Sequence, residues 1–366
     1  MNSGLVLCLC VFSILFALCR ATTCNSLNHV EVQLHQQNGN TFNKTITGCI
    51  ERIAFDSKTI ITKAFIREQD VPILGRDTIR NMAKLTTATF LECNLVHVES
   101  GALRNVPRLK SFQISNGNLK EISREIFIAA PKLELLRINN NQIDLIADYA
   151  FSNLPSLKKI YVNNNELEHW NKEWFVNTTS LEIMNFQFNK IRTLPKMAFN
   201  FLRNLTQIYF DYNEIFTIQA DAFKGLRNIT HLGLRYNRLT AISENIFPNT
   251  IKIKSLVIDA NYLNFLPNEV LNRIAVKELT IQGNPWKCPC LDRINGWVFK
   301  KKGVIKKSEM CTGDSIPDCA ASKVFSTTCI ETVDTELTKL FIQSLRNLSV
   351  PLGKYCARTD QTLIAI

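Results

Sequence analysis

From residue 61 to residue 284, apolar and polar positions along the chain recur with a period of 24 residues. In one copy Leu133, Leu136 and Ile138 are apolar, Asn141 follows and Ile143 closes the pattern. One period later the same places hold Leu157, Ile160, Val162, Asn165 and Leu167. Copies starting at Leu181, Leu205, Ile229 and Ile253 keep their asparagines at Asn189, Asn213, Asn237 and Asn261. A copy from Val276, one residue short, carries Leu279, Ile281 and Asn284. Weaker copies start at Ile61, Leu85 and Leu109, where Gln69, Cys93 and Gly117 replace the Asn. Within each copy the residues from Leu136 to Ile138 or their equivalents alternate inward and outward, which predicts a short strand. Ten such strands side by side, about 4.8 Å apart, would extend roughly 48 Å. The asparagines point inward where the chain leaves the strand. A buried carboxamide can donate and accept there, and is expected to bond its own turn and the next. A second column, Phe127, Phe151, Phe175, Phe199, Phe223 and Phe247, keeps the same period. It predicts a buried spine, each ring contributing about 2–3 kcal/mol.

This template resembles the leucine-rich repeat, and the long outer segment with Ala-Phe near its end resembles the extracellular subclass. The resemblance implies an α/β solenoid: a horseshoe with a parallel concave β-sheet, about ten repeats and disulfide-bonded caps. Directly after the last repeat, Asn284-Pro285-Trp286-Lys287-Cys288-Pro289-Cys290, followed by Trp297, Cys311 and Cys329, resembles the cysteine-rich cap of extracellular members. That cap implies the pairs Cys288–Cys311 and Cys290–Cys329, and leaves Cys319 with Cys356. The expected organisation is a signal peptide over 1–21, an N-terminal cap over 22–60 closed by Cys24 and Cys49, and repeats over 61–284. A C-terminal cap over 285–330 and a tail over 331–366 complete it. In the tail, Asp334 to Leu348 can form one amphipathic helix against the cap.

Composition adds a compartment. Gly4 to Leu18 is almost wholly apolar and precedes Arg20, Ala21 and Thr22, a pattern that reads as a secretory signal cleaved near Ala21. No later stretch reaches the roughly 18 apolar residues of a membrane span, so a soluble secreted protein is expected. Of the 12 cysteines, Cys8, Cys10 and Cys19 leave with the signal. The remaining number is odd. Cys93, at a ladder position, is read as a buried free thiol standing in for Asn; the competing reading leaves Cys319 or Cys356 for an interchain bond. Sequons at Asn43, Asn177, Asn204, Asn228 and Asn347 predict glycans. Asn204 and Asn228, one period apart, would close one edge of the solenoid to partners. The formal charge is +11. Lys300, Lys301, Lys302, Lys306 and Lys307 supply part of it, either as a solvated turn or as a contact for anionic glycans or a membrane surface. Export makes nucleic acid a poor partner.

Outward strand positions are where function can sit. The residue before each ladder Asn is Phe188, Tyr212 and Tyr236 on three successive units, with Tyr161, Asn185 and Tyr209 nearby. Asp211, His231 and Arg235 complete a candidate partner-binding patch, with Arg137 and Asp259 beside it. Exposed aromatics with Arg compose protein-recognition hot spots; the alternative is cross-strand packing alone. Catalysis has no visible basis. The five histidines, His29, His35, His97, His169 and His231, form no H-E-x-x-H, and there is no G-x-S-x-G, no glycine-rich phosphate loop and no long heptad run. Neither cofactor nor metal is expected. Over residues 61–330 the chain resembles secreted repeat glycoproteins of insect haemolymph immunity, nearest the coil-less form of the mosquito leucine-rich immune family. It is also similar to the ectodomains of Toll-like and axon-guidance receptors. The resemblance implies a non-enzymatic protein that recognises an extracellular protein or a pathogen surface. An enzyme inhibitor, or a developmental, adhesion or matrix protein, is the alternative.

Overall fold

The computed structural model describes residues 24, 26–249, 251–308, 316–321, 326–348 and 356–358. The expected signal peptide and Cys311 lie outside them. The 24-residue period becomes a constant register: Leu136 lies beside Ile160, Ile160 beside Met184 and Met184 beside Ile208, all fully buried. The result is one 13-stranded sheet. It comprises β1 (Leu27–Gln36), β2 (Thr41–Gly48), β3 (Ile61–Arg67), β4 (Thr87–Leu91), β5 (Ser111–Ser115), β6 (Leu135–Arg137), β7 (Lys159–Tyr161), β8 (Ile183–Asn185), β9 (Gln207–Tyr209), β10 (Asn228–Gly233), β11 (Ile251–Val257), β12 (Ile274–Thr280) and β13 (Val304–Ile305). From β3 onward neighbours are parallel and follow chain order. The three weak copies are ordinary members of the stack, with strands longer than those of β6 to β9.

The ladder asparagines bond backward, to the preceding unit rather than the next. Asn165 Nδ2 donates to its own Val162 O and to Ile138 O of the unit before, both at 3.0 Å, while its Oδ1 accepts from Ile143 N at 3.0 Å. Asn189, Asn213, Asn237 and Asn261 repeat this. Cys93 is a buried free thiol, and its Sγ reaches Ile66 O at 3.7 Å, the same 27-residue step back that the asparagines make. At Gly117 the neighbouring Asn141 carboxamide lies 2.9 Å from where a Cβ would stand, so no side chain fits there. The phenylalanine spine is buried and continuous, with centroids 6.1 Å apart at Phe127–Phe151 and 5.1 Å at Phe223–Phe247. Trp170 inserts between Phe175 and Phe199.

Both apolar ends are sealed. At the front, β1 pairs antiparallel with β2 and with β3, burying Val30, Val32 and Leu34, and Cys24 is bonded to Cys49. At the back, helix α1 (Asn268–Arg273) and helix α2 (Cys288–Lys300) cover the last repeat. The Trp286 indole donates to Ile281 O at 2.8 Å and the Trp297 indole to Leu271 O at 2.8 Å. Cys290 pairs with Cys329, but Cys288 pairs with Cys319, not Cys311. The expected Cys319–Cys356 bridge is thereby excluded, as is Cys319 as an interchain link. Cys356 is itself disulfide-bonded, to a partner outside the described residues. Helix α3 (Thr335–Arg346), N-capped by Asp334 Oδ1 accepting from Leu337 N, buries Leu337, Phe341, Ile342 and Leu345. It is tied to the last repeats through Asn264, which donates to Thr338 Oγ1 and accepts from Asp334 N.

Candidate functional site

The expected patch divides into two groups. The first runs along the strand ends. The residue before each ladder position has positive φ throughout: +57° at Asn116, +56° at Asn140 and Asn164, then +53° at Phe188, +59° at Tyr212 and +53° at Tyr236. Asparagine tolerates this left-handed conformation, and Asn140 donates to Asn116 at 2.7 Å in a polar ladder. Aromatic residues do not favour it. The change from Asn to Phe188, Tyr212 and Tyr236 therefore goes against local preference, and it produces a stack. Phe188 and Tyr212 lie face to face at 4.3 Å and 7°, and Tyr212 and Tyr236 follow at 5.7 Å. Phe188 is 37% exposed, while the two tyrosines are half-buried.

The stack has an end that periodicity could not reveal. Arg358, 122 residues beyond Tyr236 in sequence, places its guanidinium 4.9 Å from the Tyr236 ring centre. Its Nη1 donates to Asn213 O at 3.0 Å and Tyr236 O at 3.4 Å. The chain reaches this point across Gly283 (φ +69°), where a side chain would collide with the Cys356 carbonyl.

The second group lies on the concave face. Register sets Arg137, Tyr161, Asn185, Tyr209 and Gly233 in one row. Arg137 covers the Tyr161 ring at 5.0 Å, and Tyr209 stacks on His231 at 4.5 Å. Asn185 separates Tyr161 from Tyr209, so Tyr161 stands apart from the rest. Asp211 and Asp259, expected to face outward, are instead buried. Asp211 accepts from Gln187 Nε2 at 2.6 Å and from Arg235 N at 2.9 Å. Asp259 Oδ2 takes Arg235 Nε at 2.7 Å and Ser308 Oγ at 2.8 Å, and Arg235 also bonds the Tyr212 hydroxyl. Arg235 thus connects both groups. Burial pushes the Asp211 carboxyl up to about 6, against the opposing pull of Gln187 and Arg235. Burial, then the Arg235 charge, lowers the His231 imidazole, which favours the neutral ring at physiological pH.

A cavity of about 420 Å³ opens over this face between Gln187, Tyr209, Tyr212, His231, Lys306 and Lys307. The lysines reach it because β13 extends the sheet and Lys306 N bonds Leu279 O at 2.8 Å. Lys300 belongs instead to the end of α2, so the basic run is split between two surfaces. Gln187, Gly233, Ser308 and Arg358 were missed from sequence; only Gly233, a glycine inside a strand, carried a signal of close approach. The five sequon asparagines are exposed. Asn204 and Asn228 lie at the strand starts, on the edge opposite Tyr212 and Tyr236. Among the described residues no group of three or more His, Cys, Asp or Glu could hold a metal ion.

A parallel solenoid with an asparagine ladder, sealed at both ends and carrying an aromatic strand-end row, defines a leucine-rich repeat protein. The family described as BspA type leucine rich repeat region matches residues 73–206, 120–254 and 192–328, and the chain belongs to it. No curated protein matches it in sequence. Among solved structures, a chain of the mouse RP105/MD-1 complex is similar at 22% identity and TM-score 0.57, over 66% of this chain and 42% of that one. A chain of the Toll–Spatzle complex, described as a molecular hub in Drosophila development and innate immunity, is similar at 20% identity and TM-score 0.55, over 66% of this chain and 31% of that one. These likenesses are of fold, and the chain spans less than half the length of either.

Proposed function

We propose that this is a secreted, non-enzymatic recognition protein that binds an extracellular protein or pathogen surface through the Phe188–Tyr212–Tyr236 row and the adjoining Tyr209–His231 face, in innate immunity. One observation carries the reading: three successive left-handed positions hold aromatic side chains, which disfavour that conformation, directly after three units that hold asparagine there. The rings supply flat apolar area, Arg235 and the Lys306–Lys307 pair supply charge at its border, and sequons on the opposite edge would leave this one open. Disulfides at both ends are compatible with an extracellular location. No helix among the described residues is long and apolar enough to cross a membrane. The immune assignment is supported by the fold shared with chains of the RP105/MD-1 and Toll–Spatzle complexes. Lys306 and Lys307 also offer a contact for anionic glycans at the same cavity.

The test is capture of partners from extracellular fluid by the parent protein and by the double variant Phe188→Ala, Tyr209→Ala. The parent should retain a partner that the variant loses, at an unchanged thermal midpoint. A lowered midpoint with capture intact would assign the rings to packing. Expression that stays flat after infection would count against the immune role.

A further inference from the structure

A guanidinium already occupies the end of the aromatic stack. Arg358 arrives from the far end of the chain and is only 8% exposed. Burying such a cation costs free energy unless its donors and its face are matched. Here the Tyr236 ring covers the face, and the carbonyls of Asn213 and Tyr236 accept from Nη1. Both carbonyls belong to the turns that set Tyr212 and Tyr236 in place. The socket is therefore made by the same left-handed turns that build the stack. A planar, weakly hydrated guanidinium suits a ring face combined with fixed main-chain acceptors better than a compact ammonium does.

We propose that the Tyr236 end of the stack is a binding site for an arginine side chain of a protein partner, and that Arg358 holds it as a tethered internal ligand which the partner's arginine displaces. This rests on the recognition role above and gives it a chemical class: an exposed segment bearing arginine, not lysine. Ala357, next to Arg358, packs with Phe341 and Leu345 of α3 in a small cluster separate from the main core. Cys356 is covalently tied. The tail is thus anchored just before Arg358, which keeps the internal ligand at high local concentration.

The experiment uses full-length protein and the probe Nα-acetyl-arginine methylamide, with the lysine analogue as control and binding followed by ligand-observed NMR. Arg358→Ala should bind the arginine probe about tenfold more tightly than the parent, which corresponds to about 1.4 kcal/mol. The lysine analogue should show no such gain. Arg358→Ala combined with Tyr236→Ala should lose the probe again. Circular dichroism establishes that each variant is folded; should Arg358→Ala unfold, Arg358→Ser, too short to reach the carbonyls, replaces it with the same expectation. A folded variant that binds the arginine probe no better than the parent, or binds both probes equally, overturns the proposal and leaves Arg358 as cap packing. The probe reports the socket whether or not a partner is captured, so the two readings fail separately.

Discussion

Asp211 occupies the space that a side chain at position 233 would fill: a Cβ on Gly233 would collide with both carboxylate oxygens of Asp211, two residues beyond its strand partner Tyr209. The row of outward residues along β6 to β9 is interrupted at β10 so that an acid can turn inward beneath Arg235. Gly233→Ala should cost about 1–3 kcal/mol through overpacking. Adding Asp211→Ala should recover most of that loss. A double-mutant cycle in urea measures the coupling, and additive effects would show that the two positions do not share this space.

The buried carboxyl also predicts a pH dependence. Its value rises from 3.8 in the unfolded chain to about 6 in the fold. The native state therefore holds this proton in a window where the unfolded state has released it. Its contribution to stability is greatest below the lower value and declines as pH rises through the window, by about 3 kcal/mol in all. Asp211→Asn keeps the acceptor for Arg235 N and should flatten this decline. Stability curves measured from pH 4 to 7.5 should diverge, the variant gaining on the parent toward neutral pH; parallel curves would refute the assignment.

The period made the stack legible because equivalent residues must meet equivalent surroundings: Leu136, Ile160, Met184 and Ile208 are buried as one column. The same logic found the asparagine ladder, the phenylalanine spine and the aromatic row. It failed wherever something enters from outside the repeat. Asp211 occupies an outward slot by register, and only the lost side chain at Gly233 lets it turn in. Cys288 could not be matched to Cys319 because the cap has no period, and the spacing of its cysteines fits several pairings. Arg358 carries no pattern at all; its place is set by a tail that folds back over Gly283.

Cys93 gives a chemical check on the ladder. Burial raises its thiol, against the opposing pull of the Gln69 and Leu91 backbone, and a neutral, enclosed thiol is a poor nucleophile. Iodoacetamide should leave Cys93 unmodified in native protein and alkylate it after denaturation, as located by peptide mass. Modification under native conditions would mean that this rung opens.

Asn213 should be among the costliest single losses. Its carboxamide donates to Phe186 O at 2.9 Å and Phe210 O at 3.1 Å, and accepts from Ile191 N at 3.0 Å. Asn213→Ala strands these groups away from water and should destabilise by about 2–4 kcal/mol. An unchanged urea midpoint would show that water replaces the side chain.

Because the asparagine rungs reach back, a unit followed by one is completed by its successor. Leu263 N donates to Asn284 Oδ1, and Ile215 N to Asn237 Oδ1. Trimming the horseshoe from its front leaves the next carboxamide without its partners, as Asn165 would lose Ile143 N and Ile138 O. Trimming from its rear orphans an amide in the unit that becomes last, as Ile143 N would lose Asn165 Oδ1. Either cut leaves unmatched polar groups at the new end, and the disulfide-bonded caps stand where the intact molecule would otherwise present such an end.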